Sequence, residues 1–125
     1  MDILIIEDDP IDRKLVGVVL TTSGHVVHAR TSAEEAIEAI ATYRPDLILL
    51  DLKLPGMSGL ELLRKLKSLP DYRDLPVAVV TAFPELFRKD ALVEAGCDAF
   101  LVKPINTRTL AQQVVEIAAR KSEPD

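Results

Sequence analysis

Apolar residues in this chain come in short unbroken runs, and most of the runs stop at a charged or hydroxyl residue. Ile3-Leu4-Ile5-Ile6 gives way to Glu7-Asp8-Asp9, and Leu47-Ile48-Leu49-Leu50 to Asp51. Val77-Ala78-Val79-Val80 gives way to Thr81, and Phe100-Leu101-Val102 to Lys103-Pro104. The runs at Ile3, Leu47 and Val77 are continuously apolar and read as strands covered on both faces. His25-Val26-Val27-His28-Ala29 alternates only in part, which predicts an edge strand.

Between the runs the apolar period becomes helical. Asp9 is placed to cap a first helix, with Pro10 at its first position and Gly24 as its stop. Ile11, Leu15, Val18 and Val19 recur at helical spacing along it. Ser32 and Glu35 form a capping box before a stripe of Ala33, Ala36, Ile37 and Ile40. Pro45 breaks the chain, and Leu54 to Gly59 reads as a loop from its Pro and Gly content. The third helix turns Leu62, Leu63 and Leu66 inward and Arg64, Lys65 and Lys67 to water. Pro70 to Pro76 is a connector, and the fourth helix is expected from Pro84 to Gly96. Asn106 or Thr107 caps the last helix, with Leu110, Val114, Ile117 and Ala118 inward and a frayed tail at 120–125.

Strands and helices alternate throughout, which predicts an α/β fold: a (βα)₅ doubly wound, parallel five-stranded sheet, flavodoxin-like, in strand order 2-1-3-4-5. The 125 residues suit one domain, with its core at about 2–119. The composition is 48% hydrophobic and 28% charged, a globular balance. A net charge of −5 speaks against direct nucleic-acid binding. Cys97 is the only cysteine, so no internal disulfide forms. No signal peptide and no run of ~20 apolar residues is present, so no membrane association is expected and a cytoplasmic location is.

Parallel strands carry their terminal residues to one sheet edge, where ligands of open α/β sheets bind. There the sequence would collect Glu7, Asp8, Asp51, Thr81 and Lys103. A carboxylate directly after a buried strand can attack phosphorus. Because an anion then meets an anion, the site needs a cation. Mg²⁺ takes one or two carboxylates plus phosphate oxygens and waters. Glu7 and Asp8 can supply those carboxylates, while Lys103 and the Thr81 hydroxyl can donate to phosphoryl oxygens. Crowded carboxylates repel, so at least one should have a raised pKa. Asp9 reads as a helix cap and nothing more.

These stretches, with Leu49 to Gly59, Val80-Thr81-Ala82 and Lys103-Pro104, resemble the receiver domain of bacterial response regulators from Ile3 to about Ala119. The chain is similar to single-domain regulators of the chemotaxis and cell-cycle type. The resemblance implies that Asp51 accepts a phosphoryl group from a phosphohistidine on a sensor histidine kinase or histidine phosphotransfer protein. It implies Mg²⁺ held by Glu7, Asp8, Asp51 and the backbone carbonyl of Lys53. It implies a switch made by Thr81 and Phe100, with a readout face on the fourth helix, fifth strand and fifth helix. The resemblance also implies that Lys53 and Phe83, two places beyond Asp51 and Thr81, shape water access to the phosphoryl group. No output domain is expected, so a downstream protein target is.

Three other classes compete. A phosphorylation-independent interaction module on the same fold has no use for Asp51 with Lys103. An aspartate-dependent phosphatase would carry Asp-x-Asp, whereas Asp51 is followed by Leu52-Lys53. A flavin carrier needs a hydroxyl-rich loop after the first strand, and Glu7-Asp8-Asp9-Pro10 would repel its phosphate. His25 and His28, on the edge strand, are poor candidates for a phosphoryl relay.

Overall fold

The structure is a computed structural model describing residues 1–86 and 88–122. Its elements are β1 (Asp2–Ile6), α1 (Pro10–Thr22), β2 (Val26–Arg30), α2 (Ala33–Ile40), β3 (Leu47–Asp51), α3 (Gly59–Ser68), β4 (Val77–Thr81), α4 (Lys89–Ala95), β5 (Ala99–Val102) and α5 (Leu110–Ser122). All strand pairs are parallel, in the order β2-β1-β3-β4-β5. The expected sheet and strand order are therefore present, with β2 at an edge as anticipated. β3 and β4 are buried at every residue, which is why their sequences are unbroken apolar runs.

Alternation along each strand splits the core in two. On one face Leu4, Ile6, Ile48, Leu50, Val77 and Val79 pack under α2, α3 and Leu92 of α4. On the other Ile3, Ile5, Leu47, Leu49 and Ala78 meet Val16 and Leu20 of α1 and Leu110, Val114 and Ile117 of α5.

The helix starts follow the caps. Asp9 Oδ1 accepts from Ile11 N at 2.9 Å, and Ser32 Oγ from Glu35 N at 3.1 Å. Glu35 reaches back to Thr31 N at 2.8 Å, one residue before the cap. At α3 Ser58 Oγ accepts from Glu61 N at 3.1 Å and donates to Glu61 Oε1 at 3.3 Å. Asn106 Oδ1 accepts from Arg108 N at 2.9 Å, in the turn that leads into α5. Gly96, at φ 109°, closes α4 in the left-handed region that L side chains avoid.

Four expectations need correction. On α1, Ile11, Leu15 and Val18 are 77%, 40% and 53% exposed, and Val16 and Leu20 make the buried stripe instead. Apolar residues occupy more than one face of this helix, so its pattern does not name a single inward side. Lys67 is not in water: its stem is buried, and Nζ donates to Arg73 O at 3.1 Å, Leu75 O at 2.6 Å and Asp98 Oδ2 at 3.4 Å. A long apolar stem lets a lysine lie along a core edge where carbonyls await its tip. The fourth helix begins at Lys89, because Pro84–Leu86 makes only one 3₁₀ turn. The tail is helical through Ser122, and 123–125 lie outside the described residues.

Candidate functional site

The parallel register aligns the strand ends. Ile6 lies opposite Leu50, Asp51 opposite Val80 and Thr81 opposite Val102, so the residues at and just past these ends share one rim. Glu7 follows β1, Asp51 and Thr81 end β3 and β4, and Lys103 follows β5. The Lys103 backbone is tied to β4 by its N–H donating to Thr81 O at 2.8 Å, and the Lys103–Pro104 peptide is cis.

Lys103 is the centre of the rim. Its Nζ donates to Glu7 Oε1 at 2.5 Å, Asp12 Oδ2 at 3.1 Å and Asp51 Oδ2 at 3.2 Å. Three donors meet three carboxylates, the full capacity of an ammonium. Glu7 and Asp51 are buried and Asp8 is exposed, and an oxygen of each lies within 4.8 Å of the others. Asp51 Oδ1 accepts from Lys53 N at 3.1 Å, so both oxygens of this carboxylate are engaged. The Arg13 guanidinium donates to the carbonyls of Glu7 and Asp8, at 3.0 and 3.3 Å, and fixes the acidic turn against α1.

The Lys103 ammonium serves three carboxylates, with Asp8 as a fourth close to Glu7 and Asp51, and the electrostatics register the shortage. Burial, a hydrogen bond with Asp51 and the Asp51 charge push the Glu7 carboxyl up to about 8, against the pull of Lys103. Burial alone would lower the Lys103 pKa, but its hydrogen bonds to Glu7 and Asp12 and the charge of Asp51 hold it above the ordinary lysine value. The two shifts bear on the same contact from opposite sides. The consistent reading is a charged lysine in an acid cluster that retains a proton. A hard divalent cation would displace that proton and suits an all-oxygen donor set.

The other expected residues are placed as follows. Thr81 is fully buried at the rim, with its hydroxyl accepting from Phe83 N at 2.9 Å. Phe100 is half-buried against the core. Lys53 Nζ sits 4.4 Å from the centroid of the Phe83 ring, a cation–π pair at the mouth of the cleft formed by Glu7, Asp8, Asp51 and Lys103. His25 contacts the terminal amine at 3.1 Å and His28 packs on Tyr43, both at the β2 side. Asp12 was missed by sequence reasoning. An acid in the first turn of a helix is ordinary, so nothing in the chain sets it apart.

Fold and rim together define a doubly wound, flavodoxin-like α/β domain with an acid–lysine centre at the carboxyl ends of its strands. The sequence matches the response regulator receiver domain family over residues 3–115, and the chain belongs to that family, the receiver domains of two-component signalling. It is 36% identical over 104 residues to the polar-differentiation response regulator DivK of Brucella anthropi, covering 83% of this chain and 85% of that one. A structure described as a response regulator from Chloroflexus aurantiacus superposes with a TM-score of 0.89 at 33% identity, over 95% of this chain and 98% of that one. The Mn²⁺-bound form of response regulator Rcp1 does so with a TM-score of 0.76 at 33% identity, over 94% and 91%. Receiver domains are phospho-acceptor switches and not enzymes in the ordinary sense. Among the described residues no helix is long and apolar enough to cross a membrane.

Proposed function

We propose that the chain is a phosphorelay switch in which Asp51 accepts a phosphoryl group from a phosphohistidine on a sensor histidine kinase or histidine phosphotransfer protein. Asp51 Oδ forms the new bond to phosphorus as the P–N bond breaks, and the electron pair leaves on the imidazole nitrogen. Glu7, Asp8, Asp51 and the carbonyl of Lys53 would hold Mg²⁺, which supplies charge neutralisation for two anions that must touch. Support comes from the three clustered carboxylates, the proton they retain, and the manganese carried by Rcp1. Lys103 binds one phosphoryl oxygen and the Thr81 hydroxyl, released from Phe83 N, another. The observation that carries the reading is Lys103 Nζ held 3.2 Å from Asp51 Oδ2, at the meeting point of separate strand ends.

Movement of Thr81 and Phe100 then reaches α4, β5 and α5. An open groove of about 360 Å³ runs there, lined by Lys89, Val93, Cys97, Phe100, Gln113 and Arg120. Val93 and Val102 are 58% and 48% exposed on these elements, a surface suited to a downstream protein.

Acetyl phosphate with Mg²⁺, followed by intact mass, tests the chemistry. One phosphoryl adduct is expected on the wild type and none on Asp51→Asn or with EDTA. An adduct that survives Asp51→Asn overturns the assignment. A wild type that takes no adduct from any donor leaves partner binding without phosphorylation as the better reading.

The Lys53–Phe83 pair covers the approach of water. Removing both side chains, Lys53→Ala with Phe83→Ala, should shorten the phosphoryl lifetime roughly two- to fivefold, the factor a ~0.5–1 kcal/mol cation–π contact commands. The decay is followed by mass after the donor is removed, and an unchanged half-life counts against the cover.

A further inference from the structure

Asp12 stands apart from the acids assigned above. It lies in the first turn of α1 and is not in the trio whose oxygens fall within 4.8 Å of one another. Yet its Oδ2 is 3.1 Å from Lys103 Nζ, nearer than Asp51 at 3.2 Å. The Lys103 side chain is 12% exposed and that of Asp12 35%, so this pair sits at the water boundary on the α1 side. Glu7, Asp12, Asp51 and Lys103, backed by apolar side chains such as Val16 and Leu49, line a cavity of only about 20 Å³. A space that small, closed by apolar side chains behind the carboxylates, leaves the ammonium no room to withdraw inward. The ammonium therefore stays on the rim, shared among Glu7, Asp12 and Asp51.

A phosphoryl group on Asp51 needs that ammonium. Glu7 and Asp51 would share their charge with a bound cation, which loosens their hold on the lysine. Asp12, outside that trio, keeps its hold. We propose that Asp12 is a positioning residue that detains Lys103 on the α1 side and so restrains phosphoryl uptake at Asp51. This rests on Asp51 being the acceptor. The carboxylate acts in two ways, by competing for the lysine and by repelling the anionic donor, and both slow the reaction.

The test follows adduct formation over time with acetyl phosphate and Mg²⁺ on the full chain. Asp12→Asn keeps the size of the side chain and removes its charge, and is expected to raise the uptake rate roughly fivefold. Asp12→Ala repeats the measurement should the amide disturb the fold, which thermal melting reports. A Lys103→Met background separates the lysine's part from general repulsion. There the gain from Asp12→Asn should fall below about twofold, and an uptake-dead Lys103→Met chain should stay dead when Asp12→Asn is added. Unchanged or slower uptake in both Asp12 variants overturns the proposal while Asp51 still labels. So does an undiminished gain, or recovered uptake, without the lysine. A wild type that never labels overturns the acceptor assignment and this proposal together.

Discussion

Gly59→Ala is expected to destabilise the protein by about 3 kcal/mol or more and to disable Asp51 along with it. Gly59 is the first residue of α3, and its N–H donates to Leu52 O at 2.9 Å. A Cβ there would stand 2.6 Å from Leu52 Cα and 3.0 Å from Asp51 C. These are backbone atoms at the end of a buried strand, so no side chain can rotate away to make room. The first turn of α3 would have to lift from β3. That breaks the Gly59–Leu52 hydrogen bond and drags the loop carrying Lys53, whose N–H holds Asp51 Oδ1 at 3.1 Å.

Helix propensity pulls the other way, since alanine is favoured over glycine inside a helix by up to ~1 kcal/mol. Gly17 isolates that term, because a Cβ on it meets nothing within 4 Å. Gly17→Ala should therefore stabilise by about 0.5–1 kcal/mol. Urea unfolding of the two variants against wild type checks the opposite signs. A Gly59→Ala chain as stable as wild type would mean that the close approach of α3 to β3 is not maintained in solution.

The sequence shows the sheet well for a specific reason. β1, β3 and β4 are covered on both faces, so each is an unbroken apolar run and each ends visibly. Parallel pairing then gathers Glu7, Asp8, Asp51 and Lys103 without further information. What the sequence hides depends on rotation and reach. α1 is apolar on more than one side, and only packing against β1, β3 and α5 selects Val16 and Leu20. Lys67 counts as polar in any periodic pattern, yet the carbonyls that bind it belong to the connector before β4, which no local rule anticipates. Pro84 is a sound helix start by composition but supports only one turn before α4 begins at Lys89. Within the site, the Thr81 hydroxyl faces Phe83 N and Asp12 joins Lys103, both matters of rotamer and of helix phase.

In Mg²⁺-free buffer, the melting temperature is expected to fall as pH rises from about 5 to 8.5. The Glu7 carboxyl is raised in the folded protein from 4.5 to about 8. Between those values the folded chain binds a proton that the unfolded chain has released. Stability therefore decreases with rising pH through this window, and the decrease ends once Glu7 ionises in both states. Because Glu7 shares its burial with Asp51 and Lys103, the loss is best taken as about 2–3 kcal/mol, or ~10 °C for a domain this size. A divalent cation reverses the balance. It favours the ionised carboxylate, so its binding at neutral pH displaces a proton and its affinity rises with pH. Millimolar Mg²⁺ should consequently restore more of the melting temperature at pH 8.5 than at pH 6, with Ca²⁺-free and EDTA controls. In Glu7→Gln the fall with pH should flatten, because the amide carries no charge to desolvate, and the gain from Mg²⁺ should shrink with it. A wild-type melting temperature that climbs from pH 5 to 8.5, or an equal Mg²⁺ gain at both pH values, would place the retained proton somewhere other than Glu7 and remove the electrostatic case for a cation on this rim.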